Sequence, residues 1–175
     1  MNIELRKPRI SDAKRYLEIL SHPEFTYFPA KPATLKEEQN FLRMMKAVQK
    51  NGGEHNFAIM VNGKHVGGAG IKINQRFSYI CEIGYFVDHR YWNKGIATRT
   101  VQLLEEFIAS NLEIVRIEIT TAKKNTGSCK VAAKSGYKRE GIMKKYLKIG
   151  DVYHDCCRYA KILKNNAGAL KCRKG

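Results

Sequence analysis

The dipeptide Asn62-Gly63 limits the folds open to this chain more than any other feature. Asn-Gly between two β-like runs closes a two-residue hairpin, because both central positions of that turn need a positive φ. The flanking runs are Asn56 to Val61 and Val66 to Ile73, and Tyr79 to Val87 follows as a third. The segment before them has a different period. Thr34 and Glu37 make a capping box. From there Leu35, Glu38, Phe41, Leu42, Met45 and Val48 mark one side of a helix that stops at Asn51-Gly52-Gly53.

The rest of the chain continues the mixture. Asn2 to Arg6 reads as a short strand. Ser11 offers an N-cap to a helix with Ala13, Tyr16, Leu17 and Leu20 at helical spacing, and Pro23, Pro29 and Pro32 punctuate the loop after it. Gly95 to Ser110 reads as a helix, Val115 to Thr121 as a strand, and Asn125 caps a helix ending at Ser135-Gly136. Tyr137 to Tyr146 and Val152 to Ile162 form a closing hairpin around Gly150-Asp151. The order is strand, two helices, three strands, helix, strand, helix, two strands. It predicts a mixed α/β (α+β) fold, with a largely antiparallel sheet of about six or seven strands flanked by helices.

With 175 residues, 43% of them apolar, one core is the natural count. Residues 1–163 are expected to form it, and residues 164–175 a basic C-terminal tail. Lys and Arg number 32 against 16 Asp and Glu, a net charge of +16. That excess favours anionic partners such as nucleic acid, ribosomes, acidic proteins or a polyphosphate cofactor, without choosing among them. No run approaches the ~20 apolar residues of a membrane span, and the first residues lack the apolar stretch of a secretory signal. Five Cys without CxxC spacing suit free thiols in a reducing cytoplasm, and the five His show no metal spacing. No membrane association and no metal site are expected.

Chemistry concentrates in two segments. In the first, Glu82-Ile83-Gly84-Tyr85-Phe86-Val87-Asp88 runs into His89-Arg90-Tyr91-Trp92-Asn93-Lys94-Gly95-Ile96-Ala97-Thr98, a strand feeding a loop that opens a helix. Gly95 and Ala97 let a ligand approach the backbone, and the first amides of the helix lack internal partners. Such a helix start binds phosphate. Neither GxxxxGK[ST] nor GxGxxG is present, so the P-loop and Rossmann patterns do not apply. The second segment is Asn125-Thr126-Gly127-Ser128-Cys129-Lys130, continuing to Lys134-Ser135-Gly136-Tyr137 and Glu140-Gly141.

Together these segments resemble the GNAT superfamily of N-acetyltransferases. The loop is similar to its phosphate-binding pattern [RQ]xxGx[GA], with Trp92 in place of Arg or Gln. YWNKGIAT and NxxSxK…KxGYxxEG resemble the ribosomal-protein N-terminal (Rim-type) branch. Arg99 and Thr100 depart from it, standing where Glu and Ala are usual. The likeness covers about residues 2–163.

The resemblance implies acetyl-CoA as cosubstrate, without a metal, lying in a V-shaped gap beside a splayed strand pair. Its pantetheine arm would pair with the backbone of Phe86 and Val87, and its pyrophosphate would rest on the amides of Asn93, Lys94, Gly95, Ile96, Ala97 and Thr98. Asn125 would bond the arm near the thioester and Lys130 would reach the phosphates; a helix cap and a solvated lysine are the simpler roles for these two. Glu82 is the implied base, with Glu118 its rival, and either also reads as a surface carboxylate. Many relatives protonate the departing thiolate with a Tyr whose matching position here is Ala132, leaving Ser128 as the substitute. The expected acceptor is a primary amine, foremost a protein N-terminal α-amine, on a ribosomal or other protein. A polyamine or aminoglycoside acetyltransferase and a non-catalytic ribosome- or RNA-binding module are the alternatives. Either a monomer or a homodimer is compatible with the sequence.

Overall fold

A computed structural model describes residues 1–28, 31–50 and 52–163. The expected tail at 164–175, Pro29 and the helix stop at Asn51 lie outside the described residues. In order, the elements are β1 (Ile3–Arg6), α1 (Ala13–Leu20), α2 (Leu35–Lys50), β2 (Glu54–Val61), β3 (Lys64–Ile73), β4 (Ile80–Val87), α3 (Ile96–Asn111), β5 (Arg116–Ala122), α4 (Thr126–Lys134), β6 (Lys138–Ile149) and β7 (Val152–Ile162). Short 3₁₀ turns at Ile10–Asp12 and His89–Tyr91 precede α1 and follow β4. The element order is the one expected from the sequence.

Asn62 (φ 47°) and Gly63 (φ 77°) turn β2 into β3. The seven strands form one sheet in the order β1-β2-β3-β4-β5-β7-β6, antiparallel at every pair except β4 with β5. Alternation assigns the two faces. Phe57, Ile59, Ile71, Cys81, Ile83, Ile117 and Ile119 turn toward α3 and α4, where Ile96, Val101, Leu104, Ile108 and Ala132 complete the main core. Ala58 and Phe86 turn to the opposite face, under α1 and α2, against Tyr16, Leu42 and Phe25. Gly68 makes room there, since a Cβ on it would lie 2.6 Å from the Phe86 ring.

Two local expectations change. Ser11 does not cap α1. The chain enters through the 3₁₀ turn, and Asp12 accepts from Arg9 N at 2.7 Å and from both Arg6 guanidinium nitrogens at 2.7 Å. A carboxylate beside a guanidinium takes that place because it bonds Arg6 and the turn amide together. At α2, Thr34 Oγ1 accepts from Glu37 N as expected, but Glu37 reaches one residue further back, to Ala33 N at 2.9 Å. Leu35 and Phe41 are exposed, leaving Glu38, Leu42 and Met45 as the buried stripe of α2.

Candidate functional site

The β4–β5 pair is the point where the sheet opens. Parallel pairing covers only Ile80, Cys81 and Glu82 with Arg116, Ile117 and Glu118. Beyond it, β4 runs on to Val87 and β5 to Ala122 without pairing to one another. β4 stays bonded to β3 and β5 to β7 along their outer edges, so each strand keeps one satisfied edge. The gap between them is therefore lined by peptide groups lacking a strand partner, which invites an extended ligand.

The register identifies those groups. Asn74 N donates to Ile80 O and Asp88 N to Val66 O, so the even residues of β4 bond to β3. The odd residues beyond the paired stretch, Tyr85 and Val87, present their peptide groups to the gap, while Ile83 N still serves the Glu82–Glu118 bridge. This corrects the expected role of Phe86: its peptide groups face β3, and its ring packs under α1 with Tyr16 and Phe25. Tyr85 takes the position expected of Phe86. Val87 also faces the gap, and its carbonyl accepts the Trp92 indole N–H at 2.5 Å. On β5, Lys123 N bonds to Asp155 O and Leu163 N to Val115 O, which turns the even residue Thr120 toward the gap.

The gap ends at the start of α3. Gly95 is its N-cap at φ 76°, and a Cβ there would meet nothing within 4 Å. Asn93 is also left-handed, at φ 60°. The first bond of the helix runs from Arg99 N to Gly95 O, so the amides of Ile96, Ala97 and Thr98 precede the internal ladder. Ile96 is fully buried and pins this end to the core. Backbone open to approach, three free amides and the positive end of a helix dipole fit a diphosphate. Lys94 is drawn back along the loop, bonding Arg90 O at 3.1 Å beneath the Tyr91 ring, and Arg99 reaches Glu106 at 2.7 Å.

A charged anchor fixes the loop. The Asp88 carboxylate is 1% exposed and accepts from Arg90 N at 3.0 Å, from the Arg90 side chain at 2.7 Å and from Arg15 on α1. Burial alone would push this carboxyl up, but the Arg90 and Arg15 bonds outweigh it and hold it far below the usual carboxylate range. Glu18 joins the set, at 2.8 Å from Arg15 and 3.1 Å from Arg90. Trp92 packs the loop edge-on against Phe25 with ring centroids 5.8 Å apart.

On the other side of the gap, Asn125 Oδ1 accepts from Ser128 N at 3.1 Å, which is the helix-cap role. Lys130 is exposed. Ser128 Oγ lies 3.2 Å from the Tyr85 hydroxyl, bringing the first turn of α4 against β4. Burial pushes the Tyr85 phenol up to about 12, although the Ser128 bond pulls it down. Ala132 is wholly buried, so no side chain from that position reaches the gap. Sequence reasoning missed Tyr85. Strand alternation carried the signal, because Tyr85 is the one hydroxyl on the core-facing side of β4.

Glu82 and Glu118 are register partners on the α2 face of the sheet. Glu118 is 15% exposed and bonded to Arg116 at 2.6 Å, with Arg158 at 3.9 Å, while Arg116 also holds Glu140. Glu82 is exposed, and among the described residues its carboxylate makes no hydrogen bond or ion pair. It lines a cleft of 520 Å³ between α2 and β2–β4 that runs along Gly84, Tyr85 and Phe86 to Thr120. That cleft meets the gap across β4. The described residues contain no group of three metal-binding side chains and no helix long and apolar enough to cross a membrane.

The family model for the acetyltransferase (GNAT) domain matches residues 2–138. A curated relative, "Uncharacterized N-acetyltransferase p20" of Bacillus licheniformis, is 26% identical over 170 residues, 95% of this chain and 96% of that protein. Among solved structures, RimL, a ribosomal L7/L12 alpha-N-protein acetyltransferase in complex with coenzyme A, superposes with a TM-score of 0.85 at 21% identity. That match covers 93% of this chain and 95% of that one. The ribosomal-protein-S5-alanine acetyltransferase of Vibrio fischeri gives 0.80 at 26% identity, covering 93% of each chain.

Proposed function

The chain belongs to the acetyltransferase (GNAT) domain family, and from that premise we propose that it transfers the acetyl group of acetyl-CoA to the α-amine of a protein N-terminus. The parted β4–β5 pair, ending on the free amides of α3, is the observation that carries this reading. The amides of Ile96, Ala97 and Thr98 hold the diphosphate. The gap-facing peptide groups of Tyr85 and Val87 hold the pantetheine arm, with Asn125 at its end. Acetyl-CoA supplies an activated acyl carbon, and the chain supplies position and two proton transfers.

Glu82 takes the proton from the attacking amine, through a held water where the amine stands too far away. Ser128 donates to the departing sulfur. An α-amine has a reference pKa of ~7.7–8.0 against ~10.4 for lysine, so roughly a tenth of α-amines are already neutral at pH 7. One exposed, unpartnered carboxylate is adequate help for such an acceptor. Support for a protein acceptor comes from the solved neighbours, whose names describe ribosomal-protein acetylation.

Incubation with acetyl-CoA and matched panels of peptides, intact ribosomes and small amines, read by mass spectrometry, tests the reading. Acetylation at peptide α-amines supports it. Acetylation confined to small amines, or none with any acceptor, rejects it.

A further inference from the structure

The cleft beside Glu82 is acidic in a chain whose net charge is +16. Glu37, Glu38, Glu54 and Glu82 line it against Lys31 and Lys72. Two of the four carboxylates are already engaged. Glu37 accepts from Ala33 N at 2.9 Å, and Glu54 faces Lys72 at 3.8 Å. Glu82 is the base of the proposed reaction. That leaves Glu38.

Glu38 is 5% exposed and sits in the buried stripe of α2 with Leu42 and Met45, facing the sheet. Among the described residues no donor bonds its carboxylate. Tyr16, the nearby hydroxyl of the same cleft, donates instead to Phe57 O at 3.4 Å. Most of the Glu38 side chain is packed in an apolar stripe and its carboxylate borders the cleft with no cation beside it, a setting that disfavours its charge. A cation entering the cleft would offset that. It would find Glu38 within the same walls that hold Glu82.

We propose that Glu38 is the subsite for a second positive charge on the acceptor, so that the preferred substrate is an amine with another cationic group a short distance from the one acetylated. The inference rests on acceptor binding in this cleft, as in the proposed function. Two sources carry this chemistry: an N-terminus followed by Lys or Arg, and a free diamine.

The test compares kcat/KM at saturating acetyl-CoA for wild type and Glu38→Gln in two arms. One arm pairs a Ser-Lys peptide with the same peptide acetylated at the lysine side chain. The other pairs 1,4-diaminobutane with 1-aminobutane. Wild type should favour the dicationic member at least tenfold in an arm that is active, and Glu38→Gln should bring that ratio within twofold of one. Calorimetric binding of coenzyme A reports whether the variant is folded. If it is not, Glu38→Leu, which suits the apolar stripe of α2, replaces it in the same two arms and should likewise bring the ratio within twofold of one. A ratio near one in wild type, or a ratio unchanged by Glu38→Gln, overturns the proposal. Inert peptides together with a Glu38-dependent diamine preference uphold it while rejecting the N-terminal acceptor. Peptides acetylated without regard to charge do the reverse.

Discussion

The Tyr85 hydroxyl lies 3.2 Å from Ser128 Oγ, joining β4 to the first turn of α4 at the mouth of the gap. With a phenol pushed up to about 12, Tyr85 keeps its proton throughout the working pH range. When Tyr85 donates to Ser128, the seryl hydrogen is left free to point at a departing sulfur. Ser128→Ala should lower kcat about a hundredfold. Tyr85→Phe should lower it about tenfold, with little change in KM for acetyl-CoA. The double variant should fall no further than Ser128→Ala, and steady-state kinetics of the three proteins checks this.

Glu82 and Glu118 share a register position but not an environment, since only Glu118 is occupied by arginines. Glu82→Gln should slow turnover more at low pH than at high pH, where the amine is already neutral. A pH–rate profile from pH 6 to pH 9.5 measures this. An unshifted profile would remove Glu82 from the base role.

Gly95 holds φ 76° with open space where a Cβ would stand. Gly95→Ala therefore costs the left-handed conformation, about 1–2 kcal/mol, and no steric clash within the protein. It also places a methyl group on the diphosphate path. The dissociation constant for coenzyme A should rise at least tenfold. Gly84→Ala, on the cleft side of β4 with equally open space, should alter acceptor KM and leave coenzyme A binding alone. Calorimetry separates the two effects.

The buried Asp88 carboxylate ties the loop to α1 through Arg15. Its folded pKa is depressed, so its contribution to stability is whole above about pH 5, starts to fall near the unfolded value of ~3.9 and is lost only as the pH drops through the lower folded value. Asp88→Asn should cost about 3 kcal/mol, near the low end for a broken buried pair because Arg15 keeps Glu18. The variant should also lose Tm less steeply than wild type between pH 5 and pH 3. Thermal melts at stepped pH measure both.

The fold was largely legible because its punctuation is local. Asn62-Gly63, the period change before it and Asn125 act through neighbours in sequence, and each acts as read. The position of the left-handed helix start was legible for the same reason, through Gly95. Which peptide groups of β4 face the gap was not. That depends on the register with β3, a long-range property that placed Tyr85 rather than Phe86 at the gap. The α1 start was misread because Asp12 recruits Arg6 from β1, a partner that local spacing does not announce. Glu38 looked like one more member of an apolar stripe. Its place on the cleft wall comes from the packing of α2 on the sheet, which spacing along the helix does not reveal.

The account turns on an extended ligand lying along the odd side of β4 with its diphosphate on the start of α3. Residue-resolved amide hydrogen exchange, with and without coenzyme A, tests this most directly. The amides of Tyr85, Val87, Ile96, Ala97 and Thr98 should gain protection, while Ile83, already bonded to β5, and Gly84 and Phe86, already bonded to β3, should not change. Equal protection of odd and even residues, or protection confined to another face, would contradict it.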